Sequence, residues 1–304
     1  MNQLKGLFFF ISILCFGHIN AQENPFTIRT NIGLATYYGD LTEKVKIFDQ
    51  SSTSFSLGIG YDITDQIIGR FDASIMKLKA NDKFNTRQDL INRNLNFTTT
   101  LWDLSLGVEY EFLNMISEDY LFTPFLGIGV GLCHFNPWTI DRNNVKRYLR
   151  DYRTEGQGLP SYPERKVYSN FSMFIPINFG FKYAINDNFR FVFEVNFRKP
   201  FTDYIDDVGN TYPDRDVILN ESSDPTTTLG LTFRGDEIIS NAPYPSVYLA
   251  RGGYTKDFYY TASIGLSFRL NNITVGGRNK IRGGNIFRSG KSNRSGQRNP
   301  NKVF

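Results

Sequence analysis

The sequence predicts an all-β protein, a transmembrane antiparallel β-barrel of about eight strands with long extracellular loops and short periplasmic turns. Three observations predict this fold. Segments of alternating apolar and polar residues recur along the chain, their polar faces carry charges of both signs, and short connections alternate with long ones. Alternation with a period of two residues is the pattern of a strand that has one apolar face.

Residues 1–21 precede the predicted barrel. Lys5 supplies a positive charge, the run Leu7–Phe16 is apolar, and Ala21 is a small residue at which a signal peptidase could cut. This order is typical of a secretory signal peptide. A helical membrane anchor is the alternative, but a spanning helix needs about 20 apolar residues. We therefore expect a signal peptide at 1–21, a barrel at 22–270 and a separate tail at 271–304.

Eight segments of the barrel region have one apolar face. In the first half these faces hold Phe26, Ile28, Ile32, Leu34 and Tyr38; Phe55, Leu57, Ile59, Tyr61 and Ile63; Ile67, Phe71, Ala73 and Ile75; and Trp102, Leu104, Leu106, Val108, Tyr110 and Phe112. In the second half they hold Phe122, Leu126, Ile128, Val130 and Leu132; Met173, Ile175, Ile177, Phe179, Phe181 and Tyr183; Phe189, Phe191, Phe193, Val195 and Phe197; and Phe258, Tyr260, Ala262, Ile264, Leu266, Phe268 and Leu270.

The connections favour a membrane barrel over a soluble β-sandwich. Thr64–Gln66, Leu113–Tyr120 and Asn186–Asn188 are short, whereas Asn136–Asn170 and Lys199–Lys256 are long and polar. Outer-membrane barrels have short periplasmic turns and longer extracellular loops. A sandwich also alternates, but its strands are commonly only about 5–6 residues long. With a periplasmic N-terminus, the long loops would lie outside the cell.

The opposite faces of these segments are polar and charged, so we expect them to line the interior of the barrel. A small barrel is filled by its own side chains, and a buried charge without a partner is very costly. The sequence therefore predicts an ion-pair network in the lumen. Its candidate members are Arg29, Arg70, Asp72, Asp103, Glu109, Glu111, Lys182, Arg190, Glu194, Arg198 and Arg269.

The charge of the chain is unevenly distributed. The formal net charge is +4, the tail after Leu270 carries eight positive and no negative side chains, and Lys5 lies in the signal peptide, which leaves 4 − 8 − 1 = −5 for residues 22–270. The composition of the tail predicts disorder in its free state. The tail would lie in the periplasm, where it would contact an acidic partner or lipid headgroups or would only aid solubility. Because the protein is exported, we do not expect the tail to bind nucleic acid. The candidate contact residues are Arg278, Lys280, Arg282 and Arg288.

No catalytic or cofactor-binding pattern emerges, and we expect a protein that is not an enzyme and needs no cofactor. Cys133 and His134 are adjacent, and neighbouring residues of a strand point to opposite faces. One cysteine would remain after signal cleavage, which leaves no internal disulfide. An acidic loop could bind calcium or could simply be solvated, because its spacing matches no known calcium loop. Its residues are Asp203, Asp206, Asp207, Asp214 and Asp216.

Two stretches carry a family resemblance. They are Tyr37–Leu41 and Phe197–Val208, the second followed by Tyr212-Pro213-Asp214. They resemble the "YxGDL" and "FTDYLDDVS…Y" stretches of the PorG-like outer-membrane barrels of Bacteroidota. The resemblance marks an outer-rim motif, which we define as Tyr38, Gly39, Asp40, Thr202, Asp203, Tyr204, Asp206 and Asp207. Turns capped by aspartate side chains are the plainer interpretation of these residues.

The resemblance implies a function in the outer membrane. PorG-like barrels are components of the type IX secretion system, where they associate with a periplasmic ring built from a lipoprotein and a partner subunit, and some members serve gliding motility. We accordingly expect an anchoring or scaffolding barrel whose partners are outer-membrane lipid and periplasmic or outer-membrane secretion proteins. The alternatives are a narrow passive pore and a surface adhesion barrel that acts through its long loops.

Overall fold

The computed structural model describes residues 26–42, 48–113, 120–186, 188–252 and 256–270. The predicted signal peptide at 1–21 and the predicted tail at 271–304, with Arg278, Lys280, Arg282 and Arg288, lie outside these residues. The strands are β1 (Phe26–Tyr38), β2 (Ser52–Asp62), β3 (Ile67–Asn81), β4 (Asn96–Glu111), β5 (Phe122–His134), β6 (Trp138–Ile140), β7 (Lys146–Tyr148), β8 (Phe171–Ala184), β9 (Phe189–Pro200) and β10 (Phe258–Arg269).

Eight long strands close into a cylinder. Their order is β3-β2-β1-β10-β9-β8-β5-β4, and β3 pairs again with β4, so each strand has a neighbour on both sides. All of these pairings are antiparallel. The short strands β6 and β7 form a hairpin that joins β4 at Thr98↔Trp138. The closed antiparallel barrel of eight strands predicted from the alternation is confirmed.

The outside of the cylinder is apolar and the inside is polar. On the outer face, Leu106 is 62% exposed and Ile264 is 52% exposed, whereas Arg70 and Glu194 on the inner face are each 4% exposed. A protein dissolved in water would place these residues the other way round. The exposed apolar side chains form a continuous band around the barrel, as lipid requires of a membrane-spanning sheet.

The two rims of the barrel differ. One rim carries Phe26, Leu270 and the short connections β2–β3, β4–β5 and β8–β9. The other carries the long connections β1–β2, β3–β4, β5–β8 and β9–β10, and we call it the long-loop rim. The ordered segments that these connections form above the barrel are called the cap.

The cap contains helices that the alternation pattern did not reveal. They are α1 (Gln88–Arg93), α2 (Leu149–Tyr152), α3 (Arg215–Glu221) and α4 (Pro225–Thr232). Asp214 begins α3 by accepting a hydrogen bond from the Asp216 amide at 2.7 Å, and Asp224 begins α4 by accepting one from the Thr227 amide at 3.2 Å. Aspartate is a favoured residue at this position. No helix of the described residues is both long and apolar enough to cross a membrane.

The interior changes from ionic to apolar toward the long-loop rim. β3 and β4 extend beyond the last lipid-facing pair, Ile75↔Trp102, and there the polarity of their two faces is reversed. Leu78 is fully buried on the inner face, while Lys77 is exposed on the outer face. One hydrophobic core thus continues from the upper barrel into the cap. Its members include Tyr37, Leu41, Met76, Leu78, Phe97, Leu101, Phe135, Leu149, Phe174, Ile205, Val208, Leu231 and Tyr259.

Candidate functional site

The predicted lumen residues contact one another at the centre of the barrel. Arg70 lies 2.6 Å from Glu109, 3.1 Å from Asp72 and 2.9 Å from Glu194. Arg29 lies 3.1 Å from Asp72 and 3.2 Å from Glu109. Because Arg29, Arg70 and Glu109 are almost completely buried, each charge depends on its partners for the solvation that water would otherwise supply.

Further ion pairs lie around this centre. Lys182 contacts Glu109 and lies 2.6 Å from Glu111. Glu111 in turn lies 3.8 Å from Arg190. Toward the cap, Arg198 lies 3.0 Å from Asp103. Toward the opposite rim, Arg269 lies 2.7 Å from Asp62. Asp62 was not among the predicted members of the network. The alternation in β2 does place it on the polar face, since it lies one residue from the apolar Tyr61.

Three direct contacts between opposite walls cross the lumen. In the circular strand order, β3 lies opposite β9 and β4 lies opposite β10. Arg70 of β3 donates to Glu194 of β9 at 2.9 Å, and Arg198 of β9 donates to Ser74 of β3 at 3.2 Å. Tyr259 of β10 donates to Asp103 of β4 at 3.2 Å. Side chains from opposite walls therefore meet inside the barrel.

Beside the outer-rim motif, the cap contacts the barrel around one hydroxyl group, that of Tyr37. The Tyr37 hydroxyl lies 2.7 Å from Asp206 Oδ2 and 2.7 Å from Asp257 Oδ1, and it accepts a hydrogen bond from the Asp40 amide at 3.0 Å. Asp206 and Asp257 stand near the two ends of the long β9–β10 connection. We call this group, Tyr37 with Asp206 and Asp257, the carboxyl clamp.

The carboxyl clamp requires an additional proton. A tyrosine hydroxyl has one proton to donate, so it can donate to only one of two carboxylates. The second short contact is a hydrogen bond when that carboxyl is protonated and donates to the hydroxyl oxygen. Burial raises the pKa of both Asp206 and Asp257 well above the usual range, and the negative charge of Asp40 raises both further. The clamp thus favours a shared proton.

Gly39 of the motif leaves room for the clamp. A Cβ at this position would lie 2.0 Å from the Tyr37 hydroxyl oxygen and 2.1 Å from Asp257 Oδ1. Both atoms are buried and hydrogen-bonded, so neither can move away freely. The glycine is required here by space.

A second buried cluster lies beside the clamp and is centred on Arg251. Its guanidinium is 3.4 Å from Glu155 and 3.5 Å from the Asp207 carboxylate, and it donates to the Asp207 carbonyl at 2.8 Å. Asp207 also accepts hydrogen bonds from Tyr168 at 2.8 Å and from Thr154. Burial raises the pKa of Glu155 to about 7, because Arg251 offsets the desolvation only in part. The cluster ties the β5–β8 connection to the β9–β10 connection.

Arg93 joins these clusters to the hairpin between β3 and β4. It makes a two-point contact with Asp82 at 2.7 and 2.8 Å, and it donates to the carbonyls of Arg251 at 2.6 Å and Asp40 at 2.8 Å. Two parallel hydrogen bonds to one carboxylate fix both partners in orientation. Arg93, Glu155, Arg251 and Asp257 were not among the predicted site residues, because each stands alone in a connection far from the motif in sequence.

The other motif residues support the same closure. Tyr38 packs against Phe258 with ring centroids 4.5 Å apart. Asp203 accepts a hydrogen bond from the Asp257 amide at 3.1 Å, and Thr202 accepts one from the Tyr204 amide at 3.3 Å. The motif therefore combines turn-capping hydrogen bonds with contacts across the rim.

The acidic residues considered for calcium have separate roles in the structure. Asp203, Asp206 and Asp207 engage amide, hydroxyl and guanidinium donors, while Asp214 caps α3 and Asp216 lies exposed in its first turn. Within the described ranges, no group of three histidine, cysteine, aspartate or glutamate side chains has the arrangement of a metal site.

Cys133 and His134 point to opposite sides of β5. Cys133 faces inward and lies 3.3 Å from the Ser172 carbonyl, whereas the His134 ring stacks on Trp102 at a centroid distance of 5.2 Å on the outer side. The two side chains therefore do not combine into one site.

A cleft of about 770 Å³ opens on the cap beside the carboxyl clamp. Arg93, Asp40 and Gly39 line it on the motif side, and Phe233, Ile239 and Leu249 supply an apolar wall. The volume lies within the range of small-molecule sites, about 300–1,000 Å³. The cap thus presents a preformed concave surface.

Comparisons with known proteins give the family and several structural likenesses. The structure is similar to Neisserial surface protein A (12% identity, TM-score 0.40, covering 82% of this chain and 99% of that one). It is also similar to OprG from Pseudomonas aeruginosa (13%, 0.39, 82% and 98%) and to Ail, the attachment invasion locus protein of Yersinia pestis, solved with a heparin analogue (9%, 0.39, 82% and 99%). No curated protein matches the sequence. The family model described as "Domain of unknown function (DUF6089)" matches residues 4–219, and the chain belongs to this family.

Proposed function

We propose that the protein is a non-enzymatic outer-membrane barrel that anchors or scaffolds a type IX-like protein secretion machinery. The observation that supports this proposal is the solid interior. Arg70–Glu194, Arg198–Ser74 and Tyr259–Asp103 connect opposite walls of the barrel, and the cap closes over the long-loop rim. A barrel of this kind offers rigid surfaces at both rims rather than a path for solutes.

The choice of machinery rests on the resemblance of Tyr37–Leu41 and Phe197–Val208 to PorG-like barrels. In this proposal the short-turn rim faces the periplasm. The predicted basic tail would leave from the same rim, because Leu270 directly follows β10 there. The Phe26 carbonyl accepts a hydrogen bond from the Leu270 amide at 2.9 Å. Its charges suit an acidic partner. The barrel would hold that partner at the membrane through the tail and the adjacent turns.

The proposal is tested by cross-linking in intact cell envelopes followed by mass spectrometry. Secretion proteins should be cross-linked to the full chain, and truncation after Leu270 should lose their co-purification while the barrel still folds. A full-length chain with Arg278, Lys280, Arg282 and Arg288 changed to glutamine separates charge from chain length. If both variants retain every partner, the tail has no docking role; if the intact protein captures no secretion protein, the scaffold proposal is wrong.

Conductance in planar bilayers tests the passive pore. On the scaffold proposal we expect no current across the bilayer, because three side-chain contacts cross the lumen. Steady ohmic current steps from the intact protein would favour the pore instead. Arg70→Ala combined with Glu194→Ala removes one of these bridges, so current confined to that variant would identify the bridge as the barrier.

Surface attachment through the cap is a second candidate, favoured by the cleft beside the clamp. Ile239 is 42% exposed and Leu249 is 55% exposed on its apolar wall. Changing both residues to serine should abolish cell attachment on this view and leave secretion unchanged. This pair is a sharper test than deletion of Asn136–Asn170, because the deletion would also remove Glu155 and Tyr168 from the Arg251 cluster.

A further inference from the structure

The outer faces of β3 and β4 change from apolar to basic at one level of the barrel. Ile75 pairs with Trp102, and the next two outward pairs are Lys77↔Thr100 and Lys79↔Thr98. Both lysines are exposed. Because both strands continue here as paired β-structure, the ammonium groups stand on a rigid hairpin rather than on a loop.

An aromatic row marks the level just below the lysines. Trp102 pairs with His134, which pairs with Phe171, and the rings of Trp102 and His134 stack with centroids 5.2 Å apart. The Phe171 ring lies 4.8 Å from His134 and 5.8 Å from Trp102. Aromatic girdles of this kind lie at the boundary between hydrocarbon and headgroups. The row therefore marks the edge of the hydrocarbon on this side of the barrel.

The lysines fall at headgroup height above this row. Strands rise about 3.3 Å per residue and tilt by about 45° in the membrane. Lys77 and Lys79, two and four residues beyond Ile75, thus stand roughly 5 and 9 Å higher. Each headgroup layer is about 5–7 Å thick. Lys77 lies within this layer, and the Lys79 side chain reaches it from the outer side.

A third lysine extends the basic surface sideways. Trp138 pairs with Thr98 on one side and with Tyr148 on the other. The Lys146 ammonium lies 4.4 Å from the centre of the Trp138 ring and donates to the Tyr148 hydroxyl at 3.1 Å. No salt bridge in the described part of the chain includes Lys77, Lys79 or Lys146, and none of the acidic residues described there faces outward on β3, β4, β6 or β7 at this level.

We propose that Lys77, Lys79 and Lys146 form a docking strip for the phosphate of an anionic lipid headgroup in the leaflet next to the long-loop rim. The ammonium groups would neutralise the phosphate, and Thr98 and Thr100, the β4 partners of Lys79 and Lys77, would add hydroxyl donors. Below the strip, the apolar outer faces of the same strands accept the acyl chains of the same molecule. A free phosphate ion would gain only the first of these two interactions, so the arrangement favours a lipid.

Native mass spectrometry of the full chain in micelles tests the strip, with phosphatidylglycerol as the anionic lipid and phosphatidylcholine as the neutral one. We expect phosphatidylglycerol to be retained in preference. Lys77→Gln with Lys79→Gln should weaken its retention about fivefold per lysine removed, the effect of ~1 kcal/mol for each basic residue at a membrane surface. Lys77→Arg with Lys79→Arg should retain the preference, because the charge remains.

Lys83→Gln with Lys166→Gln is the matched control, since both lysines are exposed outside the strip. It should bind phosphatidylglycerol like the unaltered chain. The substitutions lie on outer surfaces, and the shift in gel mobility between heated and unheated samples verifies that each variant is a folded barrel. Equal retention of the two lipids, or an equal loss in the control, would overturn the proposal. Displacement of phosphatidylglycerol by inorganic phosphate at equal concentration would also overturn it, by identifying a soluble-anion site.

Discussion

Replacing Gly39 with alanine should open the cap while leaving the barrel closed. The added Cβ would lie 2.0 Å from the Tyr37 hydroxyl oxygen and 2.1 Å from Asp257 Oδ1, whereas ordinary contact distances begin at about 3.5 Å. Relief requires one of these buried atoms to move. Since both belong to the carboxyl clamp, the movement breaks at least one of the two 2.7 Å contacts.

The expected cost combines two effects. Overpacking a well-filled site costs about 1–3 kcal/mol, and a buried polar group left without its partner costs about 1–3 kcal/mol more. Together they disfavour the closed cap by roughly 2–6 kcal/mol, which increases the population of the open cap at least ~30-fold. Hydrogen exchange in micelles, followed by mass spectrometry of peptides covering residues 203–208, measures this opening. Peptides from β9 and β10 should keep their protection.

Gly230→Ala is the matched control in the same cap. Its Cβ would lie 3.7 Å from the nearest atom, Arg142 Nε, and Gly230 is inside α4. Alanine should stabilise this helix by about 0.5–1 kcal/mol. In a Tyr37→Phe background the cost of Gly39→Ala should fall but not vanish, since Asp257 Oδ1 remains close. Unchanged exchange in Gly39→Ala, or equal opening in Gly230→Ala, would refute the steric explanation.

Three further changes test other parts of the structure. Because Glu155 has a pKa of about 7 in the folded cap against its ordinary 4.5, its contribution of about 3 kcal/mol is complete below pH ~4.5 and is lost as the pH rises through about 7. Cap protection in hydrogen exchange should therefore fall across that range, and Glu155→Gln should flatten the profile. Arg70→Met leaves Glu109 and Glu194 short of a partner, so the free energy of unfolding in urea should fall by about 3–5 kcal/mol; a fall below ~1 kcal/mol would contradict a paired lumen. Ile264→Arg on the lipid face should cost about 2–4 kcal/mol of folding free energy in bilayers, and no change there would argue that this face does not meet lipid.

The alternation of apolar and polar residues was sufficient to predict the barrel, because lipid and a charged lumen impose opposite demands on successive residues. It did not predict how far β3 and β4 continue. From Phe71 to Ile75 the apolar residues of β3 hold odd positions, but Leu78 and Ala80 hold even ones. The alternation therefore changes phase after Ile75. In the structure the strand continues through this change, with the cap core on its inner face in place of the charged lumen.

The candidate site was only partly accessible from sequence. Gly39, Asp206 and Asp207 stood out through a motif, but a motif does not indicate which residues it meets. Asp257 and Arg251 are single charged residues in a long connection, and only the closure of the barrel brings them to the clamp and to Glu155. Contacts that form only when a long loop folds back over the barrel leave no pattern in the local sequence, because many other polar loop residues could have made them.

The roles of the motif residues decide what kind of surface the cap offers. A loop that is free to adapt would need no pair of buried carboxyl groups on one hydroxyl and no glycine fitted against them. Here Arg93 and Arg251 join four connections through buried contacts, which fixes the cleft before any ligand arrives. A protein that bound the cap would therefore meet a preorganised surface and would avoid the entropy cost of ordering it. A preorganised surface favours a permanent structural contact over capture by mobile loops. The opening of the cap caused by Gly39→Ala should weaken such a contact without altering any residue on the outer surface.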